Sequence, residues 1–359
     1  MTIVKNIMIG AILNSIIICQ ALSSKGMLTL SSLTNNDIPD NWSSYESSLN
    51  YIPTISMKKK LSDHSLLDLE WSYYFKFDYT GDSLFSNIKK NHRFWLRFSN
   101  EKIETRLGLQ KIIFGPTQIL RPLSWFDTFD VKDPTGQTDG VEAFRLKWFP
   151  SNNISLWSWL IKNNSDTLSF GGRTELSLSF GELGFTLHID PSKSEQLFGA
   201  ITTPLNNPHN RLAIDYRFDG LIGLWNESVI IKSKKSQIIL STIGADYTIP
   251  IASGILVMIE IMSRSNSNLI QNTNQNYSAI MASMPIGIMH NAMYISQFDW
   301  SEEKNYHYIR WSTTFDSYSL NLIFSLNPKR EKYNILPNLL PKSLLGFGTG
   351  IQLMFIYNH

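Results

Sequence analysis

Apolar and polar side chains alternate along most of this chain. The clearest case is 67–79. Leu67, Leu69, Trp71, Tyr73, Phe75, Phe77 and Tyr79 fall on one face, and Asp68, Glu70, Ser72, Tyr74, Lys76 and Asp78 on the other. A period of two is that of a half-buried strand. The run is longer than the ~5–6 residues of an ordinary strand and suits a tilted strand crossing a membrane, which needs ~9–11. The same alternation sets Arg93 and Arg97 against Phe94 and Leu96, and Glu104 and Arg106 against Thr105 and Leu107. It sets Arg145 and Lys147 against Phe144 and Leu146, and Arg173 and Glu175 against Thr174 and Leu176. Farther on, Gly184, Thr186, His188 and Asp190 oppose Leu183, Phe185, Leu187 and Ile189, and Arg211, Asp215 and Arg217 oppose Leu212, Ile214 and Tyr216. Weaker strands are expected near 27–33, 45–61, 153–162, 221–231, 237–248, 255–264, 277–284, 289–298, 306–315, 318–326 and 344–357.

The connections alternate in length. Short ones fall at 59–65, 99–102, 150–153, 181–184, 219–220, 250–254, 285–287 and 316–317; long ones at 80–92, 116–139, 163–169, 191–210, 265–276, 299–305 and 327–342. The one break in that order is the short link at 231–236. Short turns at one end and long loops at the other are a feature of transmembrane barrels. The strand at 45–61 enters a short turn, so a strand must precede it, and 27–33 is the candidate. The predicted fold is all-β, a transmembrane antiparallel up-and-down β-barrel of about 18 strands, an even number as such barrels require. Sixteen is the runner-up, if 27–33 and one weak late strand are misassigned.

Composition agrees with a barrel better than with the alternatives. The 359 residues carry a net charge of +2 and are 17% charged, 43% hydrophobic and 12% aromatic. Near-neutrality gives no case for nucleic acid. No run reaches the ~20 apolar residues of a spanning helix; the best, 249–259, is broken by Glu260. A soluble β-protein is the competing reading. It would have to bury the charged face in a small dry core at a large desolvation cost. Residues 1–23 read as a leader: Lys5, an apolar stretch over 7–18 and small residues at Ala21-Leu22-Ser23. A buried N-terminal helix is the alternative. The single cysteine, Cys19, lies in that leader; a lipoprotein role is disfavoured by bulky Ile18. Residues 24–359 form the expected barrel.

The long insert at 116–139 sits between Leu107-Gly-Leu-Gln110 and Gly140-Val-Glu142. A connection of this length without its own period is functional or disordered, and Trp125, Phe126 and Phe129 argue against disorder. Its charged residues Arg121, Asp127, Asp130, Lys132, Asp133 and Asp139 could face a set on the wall. That placement makes it a constriction; the alternative is an external lid or contact loop. Calcium at Asp130, Asp133 and Asp139 is disfavoured by the spacing. The expected lumenal set is Arg93, Arg97, Arg106, Arg145, Lys147, Arg173, Arg211 and Arg217, with Glu70, Glu104, Glu175 and Asp215. Cationic rings select anions in pores; the other reading is that these groups pair across strands and brace the wall. No Gly-x-Ser-x-Gly and no histidine metal motif is present, so no enzyme, metal or cofactor is expected.

The segment Leu107-Gly-Leu-Gln-Lys-Ile-Ile-Phe-Gly-Pro, with Trp125-Phe-Asp127, Asp133-Pro134 and Thr138-Asp-Gly140, resembles porin-like outer-membrane proteins of Gram-negative bacteria. The C-terminal alternation Leu345, Phe347, Ile351, Leu353, Phe355, Tyr357 resembles an outer-membrane assembly signal, though Asn358-His359 follow the last aromatic. The resemblance implies a passive channel for small hydrophilic solutes, anions or sugars among them. It also implies outer-membrane lipid, lipopolysaccharide and the assembly machinery as partners, and leaves a homotrimer open. The alternative is a non-conducting surface barrel for adhesion, surface-polymer binding or structure.

Overall fold

The computed structural model describes residues 21–162, 167–192, 194–198, 201–205, 208–268, 272–330 and 343–359. The leader expectation falls on residues 1–20, Cys19 included, outside the described residues, and on Ala21–Ser23, which stand in the first strand. Strands run in chain order as β1 (Ala21–Asn35), β2 (Tyr45–Ser62), β3 (Ser65–Thr80), β4 (Ser83–Asn100), β5 (Ile103–Gln110), β6 (Val141–Ser151) and β7 (Ile154–Lys162). They continue as β8 (Leu168–Leu178), β9 (Gly181–Asp190), β10 (Ser194–Phe198), β11 (Ile201–Leu205), β12 (His209–Phe218), β13 (Gly223–Ser233) and β14 (Ser236–Ile249). The last are β15 (Ile255–Asn268), β16 (Asn272–Ile286), β17 (His290–Asp299), β18 (Lys304–Thr314), β19 (Tyr318–Leu326) and β20 (Thr349–Asn358).

Eighteen of them form one antiparallel sheet, and β10 and β11 pair only with each other. Each strand pairs with its chain neighbours, β9 pairs with β12, and β20 pairs with β1 from Met27↔Asn358 to Asn35↔Gly350. The sheet therefore closes, and no edge is left to be satisfied in lipid.

One face of nearly every strand is apolar and points outward. Leu30, Leu49, Trp71, Phe144, Leu160, Phe170, Leu187, Ile214, Ile243, Ile261, Ile280, Ile309, Leu322 and Leu353 are all exposed. Asp68, Arg93, Arg145, Arg173, His188, Arg211, Asp215, Glu227 and Glu260 are buried inside. That inverts a water-soluble protein and is the arrangement lipid requires.

Two sequence expectations fail here. The expected long loops at 80–92 and 265–276 are largely strand: β3 and β4 stay paired to Thr80↔Ser83, and β15 and β16 to Ser267↔Asn272. Ladder hydrogen bonds are made by backbone, so Ser83–Lys90, where adjacent Leu84 and Phe85 break the alternation, keeps pairing without a period-two signal. The second is the rule of a polar inner face. On β13–β17 the inner face is apolar too, with Trp225, Val229, Ile231, Ile238, Leu240, Met258, Met262, Met281 and Ile295 buried in one cluster. Something apolar must cover them, and it comes from the insert.

Candidate functional site

The chain between β5 and β6 turns into the barrel. Ile112, Phe114, Ile119, Leu120, Leu123, Trp125 and Phe126 join the apolar cluster on the inner wall. Phe114 stacks on Trp159 with centroids 5.7 Å apart, and Phe126 meets His188 edge-on at 4.9 Å. The insert touches wall positions well inside the strands on several sides of the ring, including Glu227, Thr242, Glu260, Gln297, Tyr308 and His92. Only a loop inside the lumen reaches all of these.

Two carboxylates clasp its first half. Glu260 accepts the backbone N–H groups of Gln118 (2.8 Å), Ile119 (3.0 Å) and Leu120 (2.7 Å). Glu227 accepts those of Thr117 (2.8 Å) and Leu123 (3.1 Å). The Thr242 hydroxyl donates to the Leu120 carbonyl at 2.9 Å. Both glutamates are essentially fully buried. Gly115 stands against Glu227 with φ 93°, and a Cβ there would collide with the carboxylate. Within the loop, Arg121 donates to Asp127 at 2.5 Å and lies 5.2 Å over the Phe129 ring.

The second half is a bar across the lumen. At one end Tyr308 Oη donates to the Lys132 carbonyl at 2.6 Å, and Lys132 Nζ to Gln297 at 3.2 Å. At the other, Lys90 pairs with Asp139 at 2.7 Å and Arg93 donates to the Thr138 carbonyl at 2.6 Å. Asp130 and Asp133 cap backbone N–H groups of Lys132 and Thr135, both at 2.9 Å. Asp130, Asp133 and Asp139 thus serve three separate contacts.

The wall charges are ordered in pairs. Arg97 grips Asp68 with two bonds, 2.8 and 2.6 Å, and Arg145 donates to Glu104 at 2.6 Å. Arg106 lies 3.5 Å from Glu104 and 4.4 Å over the Trp95 ring. Arg97, Arg106 and Arg145 stand at directly paired positions on β4, β5 and β6. Lys147 Nζ sits 3.3 Å from the Trp157 centroid. Arg173 joins Asp215 (2.6 and 2.8 Å) and Glu175 (2.7 Å). Arg211 lies 5.4 Å over Trp125 and 3.8 Å from Asp190, and Arg217 pairs with Asp219 at 2.8 Å. Glu70 lines an inner cavity beside Arg93.

Space remains on the side of β1–β4. An outer cavity of about 600 Å³ is lined by Ser31, Asn50, Lys76, Asp78, Asp133 and Asp139 among others. An inner one of about 490 Å³ is lined by Lys25, Thr54, Glu70 and Arg93 among others. A third, about 480 Å³, lies between Gly115-Pro116 and the short turns, beside Arg173, Glu175 and Arg217.

The sequence reading missed Glu227, Glu260, Thr242, His92 and Gln137. A usable signal existed for the glutamates: each interrupts an inner face that is otherwise apolar, Trp225–Val229 on β13 and Met258–Met262 on β15.

No protein-family model matches this chain, and no curated protein does. Solved barrels do. A BenF-like porin from Pseudomonas fluorescens Pf-5 aligns with TM-score 0.61 at 9% identity over 95% of this chain and 99% of that one. Pseudomonas aeruginosa OccK2 (OpdF) gives 0.62 at 7% over 95% and 98%, and Acinetobacter baumannii OccAB4 gives 0.60 at 8% over 95% and 98%. At such identities the likeness is one of fold: the chain has a porin-like, closed 18-stranded barrel.

Proposed function

We propose that this protein is a porin-like channel of a Gram-negative outer membrane, passing small hydrophilic solutes by passive diffusion. The observation that carries the reading is the division of the lumen. A loop is packed on the apolar inner wall of β13–β17, and cavities of mixed polar and apolar lining remain against β1–β4. The loop is spent inside the barrel rather than displayed, which favours a channel over a surface barrel for adhesion. The chemistry of the described wall residues is that of binding and steering. Residues 1–23 act as the export leader, and the C-terminal strand engages the assembly machinery.

A preference for anions is part of the proposal. Arg97, Arg106, Arg145 and Lys147 outnumber Asp68 and Glu104 around them. Their ion pairs also brace the wall, and the surplus cation biases the field of the inner half. The test is conductance of refolded protein in a planar bilayer under a salt gradient. Discrete steps with a reversal potential of anion sign support the reading. A correctly folded, heat-modifiable barrel without conductance, in wild type and in a variant lacking 116–139, overturns it.

A further inference from the structure

We infer that Gln137 is the gate of the passage, closing a neck of uncharged side chains between the outer and inner cavities. The inference rests on the channel reading and deepens it. Among the described residues the two cavities share four lining residues: Met27, Ile52, His92 and Gln137. Three belong to the fixed wall, on β1, β2 and β4. Gln137 alone comes from the loop. Its side chain spans the gap, with Oε1 3.0 Å from His92 Nε2 and Nε2 3.8 Å from Met27 Sδ.

The backbone around Gln137 is held while its side chain is free to swing. Arg93 fixes the Thr138 carbonyl, and Lys90 fixes Asp139. Gly136, on the other side, has open space around it. A glutamine held by one hydrogen bond to the wall, at His92, with a weak sulfur contact to Met27 and a long 3.5 Å bond back to the Thr135 carbonyl of its own loop exchanges rotamers at small cost. A small solute carrying a hydroxyl, amide or carboxylate replaces that bond as it passes. The surplus of cations, by contrast, sits on β4–β6 at Arg97, Arg106 and Arg145, away from this neck. Ion selectivity and gating are therefore assigned to different residues.

The test separates the two. Gln137→Ala should raise single-channel conductance and the size limit for uncharged sugars in liposome swelling, with the reversal potential unchanged. Gln137→Cys should conduct as the alanine variant does. A thiol-reactive blocker should then reduce its conductance, and reductant should restore it; Cys19 lies in the proposed leader, so no other thiol competes. Wild-type-like conductance in Gln137→Ala, with no effect of the blocker on Gln137→Cys, overturns the gate and leaves the channel standing. Closed wild type with open Gln137→Ala supports the gate. If wild type, Gln137→Ala and a variant lacking 116–139 are all silent, the channel reading falls and the gate with it.

Discussion

Removing the Glu260 carboxylate should loosen the start of the lumenal loop without expelling it. Glu260→Ala leaves three buried backbone donors, those of Gln118, Ile119 and Leu120, without their acceptor. Each such donor costs ~1–3 kcal/mol, so an unrelaxed loop would lose up to ~9 kcal/mol. The segment can shift and admit water, which brings the expected loss to ~3–5 kcal/mol. Against this stand seven buried apolar side chains of the loop, Ile112, Phe114, Ile119, Leu120, Leu123, Trp125 and Phe126. At ~1.5–3 kcal/mol each they contribute ~10–20 kcal/mol, so docking survives. A loss of ~4 kcal/mol raises the local opening constant by ~10³, since ~1.4 kcal/mol is tenfold. Hydrogen exchange of the refolded barrel reads this directly. Amides 118–120 should exchange much faster in Glu260→Ala, while those of strands β8 and β9 stay as in wild type. Glu260→Gln keeps one carbonyl acceptor and should fall between. Unchanged exchange at 118–120 in the alanine variant would refute the clasp.

Arg106→Glu should move the reversal potential toward cations, because it reverses a charge beside Arg97 and Arg145. The same reversal potential as wild type would remove this ladder from the ion path. Gly115→Val should disturb the same loop from the other side. Its Cβ meets the Glu227 carboxylate at a left-handed φ, a strain of ~1–3 kcal/mol before the clash is counted. A lowered midpoint for heat-induced loss of the folded band on gels is the expected outcome, and a midpoint equal to wild type counts against the placement of Gly115.

How much of this was legible depended on what each face of a strand meets. β3, β5, β6, β8, β9 and β12 have lipid on one side and polar or charged groups on the other, so their period-two pattern is strong and they stand out. β13–β17 have lipid outside and the loop inside. Ile230 is exposed and Ile231 buried, yet both are isoleucine, so the alternation is erased where it still exists structurally. The outer ends of β4, β15 and β16 left no period-two pattern, because water on both faces does not demand one. Register alone puts the wall arginines on one face with Glu104, Glu175 and Asp215, but it did not yield the pairs Arg97–Asp68, Arg211–Asp190 and Arg217–Asp219. The gate was not legible, since a single glutamine in a loop has no pattern, and its meaning comes from where Asp139 and Lys132 tie the chain down.

The loop and the wall explain each other. From Gly115 to Leu123 the chain carries two prolines, Pro116 and Pro122, which break any helix or ladder of its own. Its N–H groups at 117–120 and 123 still need acceptors once they leave water. Apolar neighbours cannot supply them, and main-chain carbonyls of a barrel are already committed to the ladder. A side-chain acceptor on the wall is the remaining solution, and one carboxylate can serve several donors at once. Glu227 and Glu260 are those acceptors, placed two strands apart on the face where nothing else is polar enough. An acidic residue alone on an apolar lumenal face is thus a sign that irregular backbone will dock there. In this chain that sign points to 115–123 as the end of the loop anchored on the apolar wall, while 130–140 is held by polar contacts to β4, β17 and β18, and the Gln137 side chain is the part left to move.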